Sequence, residues 1–137
     1  MAIRLNHTIL TAHDRDATAA FLIDILGLQP SRRYGPFLVL QLSNDISLDV
    51  LGSEHAIGGA GLGADGTVTP QHYAFLVDDP EFDAILARIK DRGLPFWGDP
   101  FHRHAGVTNT WYGGRGVYID DPNGHSIEVM TAPYELD

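Results

Sequence analysis

The chain contains no cysteine. That excludes disulfides, thiolate nucleophiles and cysteine-type zinc sites, and leaves histidine and carboxylate ligation open. It is also short of positive charge: nine Lys and Arg against 18 Asp and Glu give a formal net charge of −9. A surface of that sign repels phosphate backbones and anionic lipid, so neither nucleic acid nor a membrane is expected as a partner. No apolar run approaches the roughly 20 residues that a membrane span needs, and the start, MAIRLNHTIL, has no apolar signal core. A cytoplasmic location is the resulting expectation. What the chain does have is a 44% hydrophobic share over 137 residues, enough to bury a core as one domain over 1–137 without staples.

The most informative feature is internal. The chain reads as two copies of one unit, at about 1–52 and 70–133, joined by a Gly- and Ala-rich linker over 53–69. Each copy opens with a β-type segment carrying an early histidine, His7 in NHTIL and His72 in QHYAF. Each then shifts to a helical period, Phe21, Leu22, Ile25 and Leu28 in the first copy and Phe82, Ile85, Leu86 and Ile89 in the second. Both helices are expected to stop at a Gly-Leu pair, Gly27-Leu28 and Gly93-Leu94, with Pro30 and Pro95 close behind. The offset from histidine to glycine is 20 residues in one copy and 21 in the other, so the copies stay in register through the helix.

The copies also end alike, Ser47-Leu48-Asp49-Val50-Leu51 against Ser126-Ile127-Glu128-Val129-Met130. Strand side chains alternate, so Leu48 and Val50, or Ile127 and Val129, face one way and the carboxylates the other. With the apolar face given to the helix, Asp49 and Glu128 point to the concave side of a curved sheet. Two βαβββ modules paired about a pseudo-twofold would then bring His7, His72, Glu128 and Asp49 together. Inward carboxylates are costly without a partner, and a cation satisfies them. Two imidazoles with one or two carboxylates suit a divalent Fe, Mn, Ni, Co or Zn ion. Asp49 is one methylene shorter than Glu128. If it falls short, a two-histidine, one-carboxylate set with open positions remains; if it reaches, the site is a Lewis-acid centre with carboxylate bases.

Three other segments bear on function. Gly61-Leu62-Gly63-Ala64-Asp65-Gly66 is a formal GxGxxG, but a β-type segment follows it where a phosphate loop needs a helix. The second copy has about 14 extra residues between histidine and carboxylate, mostly in 97–116, a candidate substrate loop. It holds His102, Arg103, His104, Trp111, Tyr112 and Arg115; His104, Trp111 and Arg115 are the expected substrate contacts. Asp121-Pro122-Asn123-Gly124 reads as the tight turn before the strand of Glu128, and His125 as a local hydrogen-bonding residue with a further role beside Glu128 open.

LNHTIL, QHYAFLV with DDPEFDAILARIKDRGLPF, and GRGVYIDDPNGHSIEV together resemble the vicinal oxygen chelate superfamily of glyoxalase I, fosfomycin- and bleomycin-resistance proteins and extradiol dioxygenases. The resemblance spans nearly the whole chain. It implies an α+β fold in which two paired βαβββ modules form a curved, partly open mixed β-sheet barrel with helices outside. It gives His7, His72 and Glu128 the three metal positions and Asp49 the place of a fourth carboxylate in glyoxalase I. A homodimer is implied, with the site built in one chain or across two.

The extradiol and fosfomycin enzymes carry a tyrosine on the strand before the ligand glutamate, where Tyr118 stands, so Tyr118 joins Glu128 as a candidate catalytic residue; the alternative is an ordinary strand aromatic. His55 does not match the spacing of the dioxygenases' acid/base histidine. The lysine, serines and late arginine of the fosfomycin enzymes are absent. The resemblance implies a metal-dependent lyase, isomerase or ring-cleaving dioxygenase acting on a small substrate that chelates through vicinal oxygens. In the glyoxalase-like version Glu128 or Asp49 is a base that leaves the metal transiently; the dioxygenase-like version uses Fe(II) and an open site. The other class of function is a non-catalytic, bleomycin-resistance-like binder of small molecules.

Overall fold

A computed structural model describes residues 2–136. The chain divides into two compact units, Met1–Pro70 and Gln71–Asp137. In the first, β1 (His7–Ala12) and α1 (Arg15–Leu26) precede β2 (Arg32–Tyr34), β3 (Phe37–Gln41) and β4 (Ser47–Gly52). In the second, β5 (His72–Leu76) and α2 (Asp79–Asp91) precede β6 (Gly116–Asp120) and β7 (Ser126–Met130). The class is α+β, with mixed, unclosed sheets ordered β1-β4-β3-β2 and β5-β7-β6.

The helix limits follow from local chemistry. Asp14 accepts the amide of Ala17 at 3.0 Å and Asp78 that of Glu81 at 2.9 Å, each satisfying an otherwise orphaned first-turn N–H. At the other ends Gly27 and Gly93 adopt φ of 70° and 64°, and the following leucines close the turn, Leu28 onto Ile23 O and Leu94 onto Ile89 O, both at 3.1 Å. Leu28 therefore lies just past α1 rather than within its apolar stripe. Leu22 and Ile25 pack under the first sheet with Leu10, Leu40 and Val50, all buried. Phe82, Ile85 and Ile89 do the same in the second unit with Ile119, Ile127 and Val129.

In each unit the outer histidine strand runs parallel to the carboxylate strand, with the same register. His7 pairs with Ser47 and Ile9 with Asp49; His72 pairs with Ser126 and Ala74 with Glu128. Each histidine is the first residue of its strand.

The second unit has one strand fewer than a full βαβββ module. Where that strand would run, Trp97 alone bridges Tyr118 on one side and Ala105 on the other. Pro95 and Pro100 flank it, and neither can donate to a ladder. The stretch 53–69 is also more ordered than a flexible linker. It contains two short 3₁₀ turns, Ser53–His55 and Ile57–Gly59, and a bridge from Leu62 to Val68. Thr11 donates to Ala60 O, and a Cβ on Gly61 would stand 2.6 Å from Thr11 Oγ1, so the close approach to β1 requires glycine there. The GxGxxG stretch is thus a hairpin turn, with Asp65 accepting the amide and hydroxyl of Thr67. Among the described residues no helix is long and apolar enough to cross a membrane.

Candidate metal centre

Pairing puts His72 and Glu128 on one face of the second sheet. Side chains directly opposite share a face, and Glu128 is two residues beyond the partner of His72. The glutamate is long enough to lean back along the strand, which brings its Oε1 to 3.0 Å from His72 Nε2. Glu128 is 2% exposed, whereas the His72 side chain is 44% open. Tyr118 is the direct Cα partner of Glu128 on β6, and its hydroxyl donates to that carboxylate. Burial, then the charge of Glu128 and this hydrogen bond, hold the Tyr118 phenol far above its ordinary value, so it remains a proton donor. The charge of Glu128 also raises the phenol of Tyr134, in the segment after β7, a residue with no motif to mark it.

His125 lies beneath this pair. It is fully buried, and its Nδ1 accepts the amide of Gln71 at 2.9 Å, the residue before His72. Accepting at Nδ1 fixes the tautomer with the proton on Nε2. Its own amide is held by Asp121 Oδ1 in the turn, where Gly124 alone takes the left-handed φ, 86°. The turn thereby sets where both β5 and β7 begin.

In the first unit the equivalent residues behave differently. His7 Nδ1 lies 2.7 Å from Asn6 Oδ1; as the donor there, it leaves the Nε2 lone pair for a ligand. Asp49 accepts the hydroxyl of Ser47 at 2.8 Å, the turn of a side chain too short to lean back as Glu128 does.

Trp111 stands edge-on to Tyr118 with 6.0 Å between ring centres, and Tyr118 is likewise 6.0 Å from the His72 ring. His104 lies on the wall of a cavity formed by 98–111. Arg115 is engaged elsewhere. Its guanidinium pairs with Asp83 at 2.8 Å and Asp79 at 3.0 Å and covers Phe82, tying β6 to the start of α2. Two residues of the loop carry structural roles that composition did not flag. Asp99 accepts the amides of Phe101, Arg103 and His104, and Asn109 binds Gly98 O. The Gly98-Asp99-Pro100 tripeptide was the available signal, a turn-former ahead of proline.

The donors present fit a divalent ion. Two ligands about 2.1 Å from one ion at a right angle are about 3.0 Å apart, the separation already found between His72 Nε2 and Glu128 Oε1. As a hydrogen bond that contact needs a proton on Nε2; without it, two lone pairs face each other and a cation is required. Among the described residues of the second unit, no third His, Asp or Glu joins these two in a metal-holding group.

Residues 4–129 match the family described as the glyoxalase/bleomycin resistance protein/dioxygenase superfamily. The chain belongs to that superfamily. Solved structures similar to this chain include oxidase ChaP-H1, at 55% identity and a TM-score of 0.87 over 98% of this chain and 100% of that one. Oxidase ChaP-H2 is 49% identical, with a TM-score of 0.86 over 98% of this chain and 97% of that one. A lactoylglutathione lyase from Agrobacterium tumefaciens is 25% identical, with a TM-score of 0.70 over 96% of both chains. No curated protein matches.

Proposed function

We propose that this superfamily member is a divalent-metal-dependent oxidase acting on a small substrate that chelates the ion through vicinal oxygens. The observation that carries the reading is the contact of half-open His72 with buried Glu128, backed by the Tyr118 hydroxyl. Similarity over nearly full length to two oxidases, far above that to the lyase, favours oxidation over isomerisation or lyase work.

In this reading His72, Glu128 and His7 are the ligands. Asp49 stands apart, because its carboxylate is short and already accepts from Ser47. Two imidazoles and one carboxylate suit Fe(II), and Mn, Co, Ni and Zn after it; the bound ion would supply Lewis acidity and open positions for substrate and dioxygen. The chain's own residues do the rest. Tyr118 keeps one side of the Glu128 carboxylate hydrogen-bonded and so orients it. Its phenol, held protonated, keeps that single donor in place. His125 fixes the backbone from which His72 projects. Trp111 packs edge-on against the Tyr118 ring and so helps to hold it in place. The ordinary partners are a small molecule and, by superfamily habit, a second copy of the chain.

Metal analysis tests this. Protein purified without oxygen is expected to hold near-stoichiometric iron, and His72→Ala and Glu128→Gln less than about a tenth of it. Zinc or nickel in place of iron, with no dioxygen uptake on adding catechol, would turn the reading to lyase chemistry. Failure of the wild type to take up any divalent ion, even on reconstitution, would overturn the enzyme reading.

A further inference from the structure

The segment 98–111 encloses a cavity of about 380 Å³, within the range that small ligands fill. Phe101, Val107 and Trp111 line it while 73%, 51% and 44% exposed. Large apolar side chains left open together around a cavity mark a binding surface rather than a core. Arg103 and His104 line the same cavity.

The charge arrangement there runs against the rest of the chain. With 18 acidic residues to nine basic, a cation would be expected to find a carboxylate, as Arg115 finds two. Among the described residues none pairs with Arg103, whose guanidinium lies over the Phe101 ring at 5.2 Å. The carboxylate closest in sequence, Asp99, lines the same cavity, but its oxygens are taken up by the loop backbone. It is buried, and its oxygens accept the amides of Phe101, Arg103 and His104 at 3.1, 2.9 and 2.8 Å. Asp99 therefore offers its charge to the loop backbone and holds in place the segment that presents the cation. His102 is drawn off the other way, stacked on Trp97 at 3.7 Å and paired with Asp120 at 3.2 Å.

We infer that 98–111 is a subsite for a flat apolar body carrying an anionic group, with the ring against Phe101 and Trp111 and the anion, a carboxylate in the simplest case, on Arg103 and His104. A guanidinium stacked on an aromatic ring is preorganised for a planar carboxylate. This deepens the proposed function and rests on it in one respect: Trp111 also meets the Tyr118 ring, so the apolar body of a substrate held against Trp111 is the part nearer the proposed centre.

The test needs no metal. Calorimetric titration of the metal-stripped full chain with 2-naphthoate and its neutral counterpart 2-naphthamide should show the acid binding at least tenfold more tightly, less so in high salt. Arg103→Met, which keeps an apolar stem over Phe101, should abolish that preference. His72→Ala should retain it. Equal affinity for acid and amide in the wild type, no binding of the acid, an unchanged preference in Arg103→Met, or its loss in His72→Ala would each overturn the inference. The wild-type comparison does not depend on any variant folding. Protein that never takes up metal would sink the proposed function and leave this result standing.

Discussion

The Tyr118 hydroxyl donates to Glu128 directly across the β6–β7 pair, to the same carboxylate that His72 meets at 3.0 Å. A buried carboxylate with two partners tolerates the loss of either poorly. Tyr118→Phe removes one donor at unchanged shape, and the cost of a buried acceptor left short is about 1–3 kcal/mol. Urea titration of the metal-free protein should show that loss. An unaltered midpoint would mean that water replaces the hydroxyl.

The same tyrosine sets a pH dependence. Its folded value is raised, so the protonated form is favoured by folding. That contribution is complete below the ordinary tyrosine value, about 10, and is lost as pH rises toward the folded value. Difference absorbance at 295 nm in the folded protein should therefore show a late phase still unfinished at pH 11, to which Tyr118 contributes. The Tyr118→Phe protein should lose one phenol's amplitude from that late phase.

Asp49 and Glu128 occupy equivalent strand positions, yet one accepts from a serine on its own strand and the other reaches the histidine strand. Asp49→Asn should keep most of the bound metal, and Glu128→Gln should lose it, by mass spectrometry of the two proteins side by side. Equal loss would make the centre four-coordinate by protein and move the chemistry toward a carboxylate base.

Much of this was legible in the sequence because it repeats. The histidines that open β1 and β5, the glycine ends of both helices and the matched carboxylates are local patterns seen twice, and each follows from strand alternation or capping. That His72 and Glu128 would share a site was expected; their direct contact was not legible, because it depends on a side chain leaning along a strand paired 56 residues away. Arg115 misled for the same reason. Its place in the inserted loop read as a substrate contact, but its partners Asp79 and Asp83 lie 36 and 32 residues earlier, on a helix that only the fold sets beside β6. The strand missing at Trp97 was likewise hidden, since the expectation of two full βαβββ modules did not weigh Pro95 and Pro100, which forbid a ladder there.

Arg115 consequently carries a prediction about stability rather than binding. Arg115→Met should lower the melting temperature modestly in low salt. The gap from wild type should narrow in 1 M salt, where charges more than about 3 Å apart are screened. Metal content and 2-naphthoate affinity should be unchanged; a loss of either would return the residue to the site.

Asp99 joins the loop to acid. Burial pulls its carboxyl upward, but the amides of His104, Arg103 and Phe101 outweigh that and hold it below the usual carboxylate range. Because the folded value is depressed, its contribution is present above the ordinary value, about 3.9, and is lost as pH falls through the folded one. Asp99→Asn imposes part of that loss at neutral pH, since an amide keeps one acceptor oxygen where three N–H groups must be served. The amides of Phe101, Arg103 and His104 should then exchange with solvent faster than in wild type, and 2-naphthoate should bind more weakly even though Arg103 itself is intact. Unchanged exchange at those amides would show that the loop is held from elsewhere, with the stack of His102 on Trp97 the next contact to remove.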